Sequence, residues 1–169
     1  MITIDTVELK NNYILAPIAG FTDSPYRQIA KKHGAGLVVT ELVSADGAIR
    51  NIKKTLNLMR FTEAERPIAI QLFGNKPDIM AEAAAFTESL GPDLIDLNLG
   101  CPAPKVCKSG EGSGSALLLK PEKIERIASA VVNSIKIPVT AKIRIGWDHD
   151  NLTYPDVVKA LEHGGVRAI

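Results

Sequence analysis

Cys101 stands between Gly100 and Pro102 in DLNLGCPAPKVCKSGEGSGSALL, residues 96–118. A thiol at such a backbone turn, just past an apolar run, can donate a proton or attack as a thiolate, depending on neighbouring charge. The same position suits a small buried hydrophobe, and residue type and spacing leave both readings open. Cys107, in the loop that follows, reads as ordinary packing. Lys142, in TAKIRIGW, ends another apolar run. There a lysine could form a Schiff base or, still protonated, pair with an anion, and Arg144 on the same strand face favours the anion. The plain alternative is a lysine reaching for solvent. Gln71 and Asn98 bring amides able to read the edge of a heterocycle, although each also fits as a strand polar residue. The glycine-rich run KSGEGSGS at residues 108–115 lacks the Walker spacing and its Gly-Lys-Ser/Thr ending. It reads as a lid carrying Lys105 and Lys108 toward a substrate, or as a plain loop. His33, His149 and His163 are scattered, so neither a metal site nor a histidine-based triad is expected.

Such side chains need elements that bring them to one place. Branched apolar runs at residues 14–18, 37–42, 68–72, 94–97 and 139–143 predict parallel strands covered on both faces, and 167–169 opens a sixth. Helical spacing fills the gaps. Pro121 precedes Ile124, Ile127, Ala128, Val131, Val132 and Ile135; Pro77 opens residues 78–90 with Gly91 as the stop; Pro25 opens a helix toward Gly34; and Pro155 opens 156–162 before Gly164. Residues 44–60 also carry helical spacing. Alternating strands and helices build either an open doubly wound sheet or part of a barrel. The first strand ends in PIAG, without the GxGxxG of a doubly wound nucleotide site. Polar side chains instead follow strand after strand: Glu41 and Ser44, Gln71, Asn98 and Cys101, Lys142 and Arg144. Converging strand ends are the mark of a barrel mouth. The expected fold is therefore an α/β TIM (β/α)8 barrel of which about the first five to six βα units are present. A complete barrel takes about 250 residues, whereas this chain has 169 and stops inside a predicted strand. Residues 1–169 thus read as the N-terminal part of a barrel domain.

With 46% hydrophobic and 23% charged residues, the chain is neither disordered, collagen-like nor a disulfide scaffold. Twenty basic against nineteen acidic residues leave a charge of +1, so no overall field steers it to nucleic acid or an anionic membrane. The spacing of the two cysteines fits no C-x-x-C motif and suits a reducing compartment. No run approaches the ~18 apolar residues of a membrane span, and MITIDTVELKNN holds no signal core. A cytoplasmic protein is expected, with no membrane or metal partner and its oligomeric state open.

Taken together, APIAGFTDSPYR, TELVS, QLFG, DLNLGCPAPKV and VTAKIRIGW resemble successive strand ends of the tRNA-dihydrouridine synthase family of flavin-dependent barrels. The resemblance runs over the whole chain. It implies an enzyme in which NADPH or NADH reduces FMN, flavin N5 passes hydride to C6 of a uracil in tRNA, and a cysteine protonates C5. Carried over by position, Cys101 is that acid. Pro17, Ile18 and Ala19 line the flavin by backbone, with Ile18 where the family often has methionine. Gln71 hydrogen-bonds the isoalloxazine, and Lys142 sits near its N1/C2 edge, where positive charge favours the anionic reduced flavin. Asn98 orients flavin or uracil, while Arg144 and Lys105 approach the target nucleotide. Two departures stand out. The run from Cys101 to Ser115 is longer than the family spacing by about two residues, near 111–115. The later strand-end loops that hold the FMN phosphate and the C-terminal helical tRNA-binding domain are absent. Two other readings are a related FMN barrel acting on a free pyrimidine, similar to dihydroorotate dehydrogenase, and a catalytically incomplete fragment with open sheet edges. The AGFTDSPYR opening argues against the former.

Overall fold

The computed structural model of the protein describes residues 2–108 and 112–169. Residues 109–111 of the glycine-rich run lie outside the described residues; of the stretch near 111–115 where a length difference is expected, residues 112–115 are described. Two short antiparallel strands, β1 (Ile2–Ile4) and β2 (Val7–Leu9), form a hairpin turned at Asp5, whose φ is 52°. The chain then alternates: β3 (Ile14–Leu15), α1 (Ser24–Lys32), β4 (Leu37–Val39), β5 (Val43–Ser44), α2 (Ala45–Ile49), α3 (Lys53–Leu58), β6 (Ile68–Phe73), α4 (Pro77–Ser89) and β7 (Leu94–Leu99). A short helix α5 (Pro104–Cys107), α6 (Pro121–Ser134), β8 (Val139–Ile143) and α7 (Tyr154–His163) follow. Proline sits in the first turn of α1, α4, α6 and α7, where its missing N–H costs no hydrogen bond. In α1 the Asp23 carboxylate also accepts from the Tyr26 N–H.

Every pairing in the main sheet is parallel, and the strand order β3-β4-β6-β7-β8 follows the chain, with β5 beside the end of β6. A doubly wound sheet reverses its order at a switch point; this one never does. The sheet is a curled half-barrel wall with its helices on the outside. Ala168 makes a parallel bridge to Thr140, so the run at 167–169 takes up the next place in that wall.

Alternation along each strand divides the residues between two faces. Ile70, Leu72, Ile95, Leu97, Leu99, Val139 and Ala141 pack outward against α4, α6 and α7 in the larger core. On the inner face, Leu37 and Val39 of β4, with Ala69 and Leu94 near the starts of β6 and β7, close over Ile4 and Leu9 of the hairpin. Further along the same face the side chains turn polar: Gln71, then Asp96 and Thr140 beside it, then Asn98 and Lys142. The hairpin thus floors the wall and leaves the polar side chains at its C-terminal rim.

Three sequence expectations change in detail. The first strand is shorter because Pro17 has no N–H with which to extend the ladder. The strand expected at 37–42 ends at Val39, and β5 begins only at Val43; between them the Thr40 hydroxyl, not a ladder carbonyl, accepts from the Gln71 N–H at 3.1 Å. Residues 44–60 form two helices because Asn51 adopts a left-handed conformation, φ 54°, that ends the first.

Outside the wall, α1 is tied to the 3-10 turn at Glu63–Glu65 by a buried ion pair. The Arg27 Nε donates to Glu65 Oε2 at 2.6 Å, and its two terminal nitrogens donate to the carbonyls of Thr22 and Arg60 at 2.6 and 2.7 Å. Glu65 Oε1 accepts from the Ser24 hydroxyl and from the backbone and hydroxyl of Thr62. Arg27 is 2% exposed and Glu65 is fully buried.

Candidate active site

The C-terminal rim of the wall is where the expected site residues fall. Gln71 is fully buried on β6, and the register sets it beside Asp96 of β7, which in turn stands beside Thr140 of β8. The Gln71 Nε2 donates to Asp96 Oδ2 at 2.6 Å, and the Thr140 hydroxyl donates to Asp96 Oδ1 at 2.6 Å. One pleat nearer the mouth, Asn98 Nδ2 donates to Gln71 Oε1 at 2.7 Å. Burial pushes the Asp96 carboxyl above the usual carboxylate range; the hydrogen bonds from Thr140 and Gln71, and the positive charge of Lys142, pull in the opposite direction. Asp96 was not among the candidates read from the sequence. Its only signal there is alternation, which puts it on the same strand face as Asn98.

Asn98 also reaches the cysteine turn. Its Oδ1 accepts from the Cys101 N–H at 3.0 Å. The Cys101 carbonyl is held from the other side, by the Ser115 N–H at 3.0 Å and the Cys107 thiol at 3.2 Å. Cys107, read from sequence as packing, is therefore a partner of Cys101, and it lies 3.3 Å from the Ser115 hydroxyl as well. Cys101 itself is half-buried. Its backbone is thus fixed at both ends by groups other than its own side chain.

Gly114 makes this turn compact. Its φ is +58°, and an added Cβ would lie 2.6 Å from the Cys101 carbonyl oxygen and 2.9 Å from a Val106 methyl. Gly114→Ala is expected to destabilise the protein by about 2 kcal/mol or more, through left-handed strain and the clash together. Chemical denaturation measures this, and an unchanged midpoint would refute the packing argument.

The remaining candidates are spread along the rim. Lys142 stands beside Asn98 in the register, exposed, without a hydrogen bond or ion pair to the described residues. Arg144, also exposed, donates from Nε to the Gly100 carbonyl at 2.6 Å, so it braces the cysteine turn from the residue just past β8. Pro17, Ile18 and Ala19 follow β3, with β4 between them and Gln71; there the Ile18 carbonyl accepts from Phe21 and Thr22, and the Gly20 N–H donates to Glu41 in the segment between β4 and β5. Lys105 is exposed on α5 and bonds to none of the others. The structure therefore joins Gln71, Asn98, Cys101 and Arg144 in one bonded group with Lys142 at its edge, and sets Pro17, Ile18, Ala19 and Lys105 apart. Among the described residues no group of His, Cys, Asp and Glu could hold a metal ion, and no helix is long and apolar enough to cross a membrane.

A family model described as dihydrouridine synthase (Dus) matches residues 14–169, the whole of this wall. The chain belongs to the dihydrouridine synthase family. It is 44% identical over 167 residues to tRNA-dihydrouridine synthase B of Vibrio cholerae, covering 98% of this chain and 51% of that protein. It is 41% identical over 169 residues to tRNA-dihydrouridine synthase B of Pseudomonas aeruginosa, covering 100% and 50%. A probable tRNA-dihydrouridine synthase of Rickettsia conorii is 41% identical over 170 residues, covering 100% and 51%. The chain spans about half the length of the curated relatives it matches. Between the two flavin-barrel readings open from the sequence, the match falls on the dihydrouridine synthases.

Proposed function

We propose that the chain is the N-terminal portion of a cytoplasmic, FMN-dependent tRNA-dihydrouridine synthase that uses NADPH or NADH to reduce uridines of tRNA to 5,6-dihydrouridine. The observation that carries this reading is the cysteine turn at the rim of a barrel wall, bonded through Asn98 to Gln71 and flanked by Lys142 and Arg144, in a chain of this family. In this reading the rest of the barrel, the FMN phosphate loops and a helical tRNA-binding domain lie in the remainder of the protein.

The donor set suits a flavin. Lys142 offers an exposed cation that makes no hydrogen bond or ion pair to the described residues, which fits the electron-rich N1/C2 edge of a reduced ring. Gln71 keeps one amide N–H beyond its bonds to Asp96 and Asn98. Asn98, and the backbone of Pro17, Ile18 and Ala19, complete the proposed cofactor-facing group. FMN, when bound, supplies the hydride for C6 of the uracil. Cys101 holds the proton at Sγ and delivers it to C5, so that the hydride and the proton together saturate one double bond. Arg144, by bracing Gly100, keeps that thiol at the mouth, and Arg144 and Lys105 offer positive charge to the tRNA backbone.

The test supplies the full-length protein with FMN, NADPH or NADH, and unmodified tRNA. A mass gain of about 2 Da per modified uridine, one hydride plus one proton, is expected. Turnover of orotate with no change in tRNA would overturn the reading.

A further inference from the structure

We propose that Asp96 is a positioning residue: at the buried end of an amide relay it fixes which atoms Gln71 and Asn98 present, and through them it holds the backbone of Cys101. The proposal rests on the reading of Cys101 as the proton donor.

The polarity of the relay follows from its outer end. The Cys101 N–H can only donate, so Asn98 must turn its Oδ1 toward it. Its Nδ2 then faces Gln71, which must answer with Oε1, so that the Gln71 Nε2 points inward at Asp96. An acceptor is therefore required at position 96, and Asp96 Oδ2 is that acceptor at 2.6 Å. With any other group there, either a buried N–H of Gln71 goes unpaired or the amides turn over and Asn98 presents its NH2 to the Cys101 N–H. Thr140 makes the arrangement tolerant. Its hydroxyl donates to Asp96 Oδ1 but can reverse and accept from a protonated Oδ1, so Oδ2 remains an acceptor in either protonation state. Asp96 is 6% exposed, with Gln71 and Asn98 between it and the cysteine turn, so it acts through these amides and touches no reacting atom.

Asparagine at position 96 can reproduce the pattern, giving Nδ2 to Thr140 and Oδ1 to Gln71, whereas leucine, of similar size, cannot. The experiment follows alkylation of Cys101 by iodoacetamide in the full-length protein by mass spectrometry; Lys105 places Cys101 and Cys107 in separate tryptic peptides. Asp96→Leu is expected to change the Cys101 rate by about fivefold or more, and Asp96→Asn to leave it within about twofold. In steady state, Asp96→Leu is expected to lower kcat about 10–100-fold with KM for tRNA little changed.

Should Asp96→Leu fail to fold, the exchange Gln71→Glu with Asp96→Asn serves instead. Gln71→Glu alone sets two acceptors against each other, and adding Asp96→Asn restores a donor between them, so the Cys101 rate is expected to return toward wild type. A Cys101 rate in Asp96→Leu equal to wild type, Asp96→Asn as disturbed as Asp96→Leu, or no recovery in the exchanged pair would each overturn the relay. Alkylation needs neither FMN nor tRNA. A wild-type protein inactive on tRNA would thus defeat the reading of the reaction while leaving the relay decided on its own data.

Discussion

Cys101→Ala is expected to lower uridine reduction by about 10²–10⁴-fold, the range for loss of a positioned general acid, while FMN stays bound and reducible. The substitution is clean because the cysteine turn does not depend on the thiol. Asn98 holds the residue's N–H, and Ser115 and Cys107 hold its carbonyl, so alanine keeps the backbone and removes only the proton donor. Each hydride placed on C6 leaves electron density at C5 that must take up a proton, and without the thiol only water supplies it. Single-turnover mass analysis of tRNA gives the rate, and flavin absorbance after addition of NADPH gives the cofactor half-reaction separately. A variant that reduces uridine within about twofold of wild type would remove Cys101 from the acid role. Loss of FMN along with activity would show instead that the residue shapes the cofactor site.

The second large effect is on stability. Arg27→Met is expected to destabilise the protein by about 3–5 kcal/mol, because it leaves Glu65 ionised and buried without its counter-charge. It also strips the carbonyls of Thr22 and Arg60 of their donors. Against the roughly 5–15 kcal/mol that holds a typical domain together, this is a large fraction. Adding Glu65→Leu is expected to recover part of the loss, since it removes the uncompensated charge while leaving the carbonyls of Thr22 and Arg60 and the donors of Ser24 and Thr62 unpaired. Urea denaturation of the single and double variants measures the coupling. A single variant within about 1 kcal/mol of wild type would mean that water reaches Glu65 in solution.

The wall and its rim were legible because they are written locally. Ile68–Phe73, Leu94–Leu99 and Val139–Ile143 are apolar enough to be buried on two faces, and the prolines at 25, 77, 121 and 155 mark helix starts without reference to anything distant. Cys101 stood out because Gly100 and Pro102 punctuate the chain around it. The hairpin Ile2–Ile4 and Val7–Leu9 was missed because its strands are too short for a period of two to declare itself. Asp96 and Arg27 were missed for another reason. A buried charge is intelligible only through its partners, and those of Asp96 are Gln71 and Thr140, 25 and 44 residues away, while that of Arg27 is Glu65, 38 away. Cys107 likewise became a partner of Cys101 only once the turn through Gly114 was closed. Local pattern reveals elements, whereas polar networks are properties of the assembled sheet.

The chain-ordered sheet has a consequence for how the site is made. Each strand from β4 onward, the two-residue β5 excepted, lies beside one synthesised before it, so each new βα unit meets a finished edge as it leaves the ribosome, and the wall can grow in one direction. The amide relay does not keep that pace. Gln71, Asn98 and Cys101 emerge first, but Thr140, which tethers Asp96, and Arg144, which grips Gly100, arrive only with β8 and the residues just after it. Until then Asn98, Cys107 and Ser115 hold Cys101, while the Gly100 carbonyl beside it lacks its Arg144 donor and Asp96 lacks Thr140. The last two braces of the reactive turn and its relay are thereby added only after the rest of the scaffold has been built.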